Sequence, residues 1–221
     1  DVGSVSVVPM GYWSKLEEEG IDSLPFNPFV PAINLVMNNR DHRKIMVIDG
    51  YTAFTGGVNF ADEYINKLER FGHWRDTAIR LRGDAAWSFT IMFLEFWNAN
   101  RPTDRDFEHF RPERHRPAPF VADGLVQPFA DSPVDRENVS QNVYLELINQ
   151  ARYSLFITTP YLILSNELLT ALRLAAKRGV DVRIYTPGIP DKKMTYQLTR
   201  SYFQPLLQAG VRIFSYTPGF L

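Results

Sequence analysis

The stretch from Arg40 to Asn59, RDHRKIMVIDGYTAFTGGVN, sets an imidazole, an amine and carboxylates around a short β-branched run. Strand side chains alternate with period two, so His42 and Lys44 at the start of a strand point to the same side. A neutral imidazole can attack phosphorus, and a lysine beside it neutralises the charge that grows on the non-bridging oxygens. That chemistry asks for no metal and no other cofactor. Asp49 falls at odd spacing from His42, on the other face, and is expected to brace the catalytic group rather than react. Gly56 and Gly57 let backbone amides approach an anion because no Cβ intervenes. Asn59 adds an amide donor, which completes a substrate-binding side of Gly56, Gly57 and Asn59.

The elements that must position these groups follow from local pattern. Ile45, Val47 and Ile48 predict a strand over Arg43–Ile48, Asp49-Gly50 a hairpin turn, and Tyr51–Thr55 the return strand. Phe60–Leu68 reads as a helix and Asp76–Arg82 as a strand with Ala78, Ile79 and Leu81 partly inward. Asp84 is expected to cap a helix running to Trp97, apolar on nearly every side and therefore buried. Upstream, Met10–Glu19 predicts a short helix stopped by Gly20, followed by a strand over Ile21–Phe26. Residues 23–39 carry no charge, and Pro25, Pro28 and Pro31 forbid a long helix. This stretch is either a connection packed under the sheet or an apolar lip for acyl chains, with Phe29 and Ile33 among its side chains.

Asn98–Gly124 changes character, with four prolines among interspersed arginines and acids, and predicts a solvated linker that contains His109 and His115. The expected organisation is a first half over 1–98, a linker over 99–123 and a second half over 124–221. Beyond Gly124 the pattern alternates: helix 138–151, strand 153–159, helix 166–178, strand 180–186, helix 194–208, strand 211–216. Alternating strands and helices imply a mostly parallel sheet. Thr158-Thr159-Pro160-Tyr161 and Pro187-Gly188 end strands on its ligand side and are candidate pocket walls.

The chain has 221 residues, a formal net charge of −1 and a pI near 6.5, so it lacks the global positive field that draws proteins onto nucleic acid. No cysteine is present, and the four histidines, His42, His73, His109 and His115, show no metal-ligand spacing. No apolar run approaches the roughly 20 residues that a membrane helix needs.

His-x-Lys, four residues, Asp49, six residues, then Gly-Gly-x-Asn resembles the HKD signature of the phospholipase D superfamily. NRDHRKIMVIDG, FTGGVNFADEY, FGHWRDT, ITTPYL, LAAKRGVDVRI and YTPGFL extend the resemblance, nearly end to end, to bacterial cardiolipin synthases. It implies an α/β fold of two similar phospholipase D-like subdomains, each a mixed, mostly parallel sheet flanked by helices. It further implies transfer of a phosphatidyl group between two phosphatidylglycerol molecules through a phosphohistidine. The acid that orients the imidazole would be Asp76, with Glu63 as runner-up. Partners would be phosphatidylglycerol and membrane lipid, not nucleic acid, at the bacterial cell membrane through segments absent from this chain. The alternatives are a phospholipase D that passes the phosphatidyl group to water, a nuclease of the same superfamily, and a catalytically silent lipid-binding protein.

An internal repeat at an offset of 190 matches Tyr12-Trp13 with Tyr202-Phe203, Gly20 with Gly210, Ile21 with Val211 and Pro28 with Pro218. It leads to the expectation that both halves are incomplete here, that a second His-x-Lys follows Leu221, and that residues 1–221 alone are inactive.

Overall fold

The computed structural model describes residues 8–27, 40–103, 106–111, 124–132 and 136–221. The apolar segment with Phe29 and Ile33, His115 and most of the expected linker lie outside the described residues. The chain forms two compact units, one from Asp1–Gly56 with Ala78–Phe129, the other from Gly57–Thr77 with Ala130–Leu221. The α/β class read from the sequence holds in both.

In the first unit, α1 (Tyr12–Glu18) runs between Gly11 and Gly20, both at positive φ (79° and 82°). The stretch Ile21–Phe26 forms no strand, contrary to the sequence expectation; Pro25 has no N–H to give a ladder. The hairpin forms as expected. β1 (Ile45–Ile48) and β2 (Thr52–Gly56) pair antiparallel across Asp49 (φ 54°) and Gly50 (φ 64°), the two left-handed positions of a type I′ turn. β4 (Ala78–Arg82) pairs antiparallel on β2. This sheet is therefore antiparallel rather than mostly parallel, its first pair because a two-residue turn can join strands in no other sense.

α2 (Asp84–Asn100) crosses one face of that sheet, where Ala53 and Ala86, both fully buried, let the backbones approach and Phe89, Ile45, Val47, Leu81 and Met92 fill around them. Gly83 holds the cap position expected for Asp84, which is instead the first helical residue, where its charge suits the helix dipole. The helix is not buried all round: Phe93 is 47% exposed and stacks on Trp97.

In the second unit, β5 (Ser154–Thr158), β6 (Asp181–Pro187) and β7 (Arg212–Tyr216) form a parallel sheet in that order. The connections are α4 (Asn166–Lys177) and the pair α5 (Lys193–Ser201) and α6 (Phe203–Leu207), with α3 (Val139–Gln150) before them. Leu172, Val182, Ile184, Leu206 and Val211 are the centre of its core. The single helix expected over 194–208 is two, broken at Tyr202, because in one continuous helix the Pro205 ring would clash with the carbonyl of Ser201.

Residues 57–77 belong to this unit through a second small sheet, in which β3 (His73–Trp74) pairs parallel with β8 (Gly219–Phe220). The helix expected over Phe60–Leu68 is only a 3-10 turn, Asp62–Ile65. Asn66 ends it at φ 55° and brackets Trp74, accepting its N–H (2.6 Å) and donating to its carbonyl (2.9 Å).

The repeat is visible in the backbone. Ile21 N–H reaches Leu16 O (2.9 Å) and Gly20 N–H reaches Glu17 O (3.0 Å); Val211 to Leu206 (3.1 Å) and Gly210 to Leu207 (3.0 Å) repeat both bonds 190 residues on. The same Schellman cap also closes α4 at Gly179, so the cap alone does not define the repeat.

Candidate active site

His42 and Lys44 stand just before β1, not within it. Asp41 turns the chain there, accepting the Arg43 backbone N–H (3.2 Å) and its Nε (2.8 Å), while the Arg43 guanidinium lies 4.4 Å over the Phe96 ring. The expected shared strand face is replaced by a direct tether. Lys44 Nζ donates to the His42 carbonyl at 2.8 Å, which keeps the ammonium beside an exposed imidazole-bearing residue. Asp49, expected to brace this pair, lies beyond the four residues of β1, about 16 Å along the chain from Lys44, where it forms the hairpin turn.

Gly56 ends β2 opposite Ala78. In the second unit the Gly57 N–H is committed to Thr77 O (3.0 Å). The glycine provides space rather than an amide turned toward an anion. A Cβ at Gly57 would stand 2.3 Å from Asp76 Oδ1, so the Asp76 carboxylate lies directly against the Gly57 backbone. The Thr77 N–H donates to Asp76 Oδ1 (2.6 Å) and fixes the carboxyl there. Glu63 sits on the 3-10 turn.

Asn59 Nδ2 donates to the Tyr64 hydroxyl at 2.5 Å. Burial pushes that hydroxyl up from its ordinary value; the Asn59 bond opposes this, and Asp76, Glu63 and Asp191 push it further up. Tyr161 donates to Asp191 Oδ2 at 2.5 Å, and burial first, then that bond, raises its hydroxyl strongly. Lys192 Nζ lies 5.1 Å over the Tyr161 ring. Among the described residues the buried Asp191 Oδ1 accepts no hydrogen bond and the buried Trp74 Nε1–H donates none, each at a cost of about 1–3 kcal/mol if left so.

Tyr161 lies in the segment after β5 that the sequence offers as a candidate pocket wall. Tyr64, Trp74 and Asp191 were not singled out for chemistry; the only local signal for Asp191 is its place just after the Pro187-Gly188 strand end.

Residues 144–221 match the family described as "Cardiolipin synthase, PLD-like domain". A cardiolipin synthase of Halalkalibacterium halodurans is 40% identical over 213 residues, 95% of this chain and 42% of that protein. The chain is thus similar to cardiolipin synthases over nearly its whole length, and its second half to their PLD-like domain. Other relatives include a cardiolipin synthase 2 of Bacillus cereus, 40% identical over 95% of this chain and 41% of its own length. An uncharacterized protein of Streptococcus mutans is 49% identical over 98% of this chain and 46% of that protein. The chain thus spans somewhat under half the length of these relatives. Among its described residues no helix is long and apolar enough to cross a membrane.

Proposed function

We propose that the whole protein is a phosphatidyltransferase that makes cardiolipin from two phosphatidylglycerol molecules, with His42 as one of its two reacting groups. The observation that carries this reading is the 2.8 Å tether of Lys44 to the His42 carbonyl, in a chain 40% identical to a named cardiolipin synthase over 95% of its length. The His42 imidazole attacks phosphorus, the P–O bond to the headgroup breaks, and the leaving glycerol alkoxide takes a proton from an acid. The hydroxyl of a second phosphatidylglycerol then attacks, the P–N bond breaks with its electron pair returning to the imidazole, and the hydroxyl proton passes to the same acid/base group. The resemblance gives that group as a second histidine, which can exchange roles with His42.

Lys44 stabilises the charge on the non-bridging oxygens. Asp76 orients the imidazole and favours the imidazolium, with Gly57 giving its carboxylate room. Asn59 positions substrate through the proton that it does not give to Tyr64. The substrate places the enzyme at a lipid surface, and the membrane is its proposed location.

The test incubates the whole protein with phosphatidylglycerol vesicles and measures cardiolipin, glycerol and phosphatidic acid. The expected products are cardiolipin and glycerol in equal amounts, and none of either from His42→Asn. Phosphatidic acid as the sole lipid product would make the protein a hydrolytic phospholipase D. Product from His42→Asn at near the parental rate would overturn the nucleophile.

A further inference from the structure

We propose that Trp74 and Asp191 together bind an alcohol hydroxyl, which, on the reading of function above, is that of the glycerol headgroup on the acceptor lipid. Among the described residues the Trp74 indole N–H is a buried donor with no acceptor, and Asp191 Oδ1 a buried acceptor with no donor. The fold holds the two segments against each other. β3 carries Trp74 along β8, and the loop leading to Asp191 is clamped on β8 as well, through Ile189 N–H to Gly219 O at 3.1 Å. Gly72 lies close enough to Ile189 that a Cβ there would be 3.0 Å from its Cδ1. Tyr64 joins the pair, with its ring 4.9 Å from that of Trp74 and its hydroxyl within the electrostatic reach of both Asp191 and Asp76.

The ligand class follows from this unmatched set. A phosphate or carboxylate satisfies the indole but is repelled by the Asp191 carboxylate. A cation satisfies Asp191 and leaves the indole N–H unmet. A hydroxyl accepts from one and donates to the other. The Trp74, Tyr64 and Phe220 rings, with Trp74 and Phe220 only 4.3 Å apart, add apolar faces suited to the carbons of a polyol and of no use to water. Tyr161 fixes the carboxyl by holding Oδ2, which leaves Oδ1 aimed in one direction.

The test uses the whole protein, with Trp74→Phe and Asp191→Ala, in two arms: phosphatidylglycerol vesicles, and phosphatidylethanolamine vesicles with added glycerol as acceptor. On phosphatidylglycerol, the ratio of cardiolipin to phosphatidic acid is expected to fall about five- to tenfold in each variant, the loss typical of one unmade bond to a buried polar group. A matching fall of phosphatidylglycerol relative to phosphatidic acid in the second arm extends the site to free glycerol. A fall in that arm alone overturns the lipid headgroup as ligand. An unchanged ratio in both arms means bound water only, and an equal loss of both products means a structural role; either overturns the proposal.

A second readout does not depend on turnover. In protein labelled with fluorotryptophan, the fluorine resonance assigned to Trp74 by its absence from Trp74→Phe should shift saturably with glycerol and stay fixed in Asp191→Ala. No shift overturns the hydroxyl site. A shift in protein that makes no cardiolipin overturns the reading of function and leaves the site standing.

Discussion

The Asp76 carboxylate rests against the backbone of Gly57, where a Cβ would come within 2.3 Å of Oδ1 and 2.9 Å of both Cγ and Oδ2. Gly57 has no unusual φ, so alanine at this position is excluded by Asp76 alone and not by backbone strain. Gly57→Ala must therefore displace the carboxylate. The expected outcome is a fall in kcat of about 100-fold, the scale of a misplaced positioning group, with little change in KM. In an Asp76→Asn background the same alanine should add less than about twofold, since the two substitutions damage one contact. Independent, multiplying losses would show that Gly57 serves something other than Asp76.

Lys44 Nζ is tied to the main-chain carbonyl of His42 at 2.8 Å, which fixes where its ammonium lies. Lys44→Met should lower kcat by about 100- to 1000-fold, as deletion of one transition-state charge donor does. Its thermal stability should stay within about 0.5 kcal/mol of the parent, because the residue precedes β1 and is not part of the core. Equal losses in rate and in stability would place Lys44 among the structural residues.

The hairpin of β1 and β2 was readable because its cause is local: Asp49 and Gly50 tolerate the two left-handed positions, and Ile45, Val47 and Ile48 prefer extended backbone. The parallel sheet was readable for the same kind of reason, from strands and helices that alternate. The placement of residues 57–77 was not. It depends on glycines at which chains 140 or more residues apart in sequence touch, and on the Asn66 side chain, which ends a helical turn to bracket Trp74. The position of His42 and Lys44 before the strand turned on Asp41 taking the Arg43 N–H, a competition between side chain and ladder that periodicity does not register. The break at Tyr202 was written in Pro205, but the apolar spacing on both sides outweighed it.

The junction of β3 with β8 is a steric one. A Cβ at Gly219 would lie 2.2 Å from the His73 carbonyl oxygen and 2.5 Å from its nitrogen, atoms that cannot move without breaking the ladder. Gly219→Ala is expected to destabilise the protein by about 3 kcal/mol, the upper end for overpacking. Gly124→Ala, where nothing lies within 4 Å, is the matched control and should change stability by less than about 0.5 kcal/mol. Chemical denaturation measures both. A neutral Gly219→Ala would mean that the two strands do not pair in solution.

Tyr161 gives a prediction in alkali. Its hydroxyl donates to Asp191, and burial followed by that bond keeps the proton on well above the ordinary tyrosine value. A folded value raised above the unfolded one of about 10 contributes stability that is complete below pH 10 and is lost as pH climbs toward the folded value. Ultraviolet titration of the ten tyrosines should thus show a late phenolate step that Tyr161→Phe removes. The same variant should lose less stability than the parent between about pH 10 and the onset of alkaline unfolding, because it has no proton for the unfolded chain to release. Asp191→Asn should bring the late step back toward the ordinary value, since the amide carbonyl still accepts the bond but no charge opposes the phenolate. Tyr64 is raised as well, so the test is the change between parent and variant: late steps left unchanged by Tyr161→Phe would mean that the bond to Asp191 is not what holds the proton.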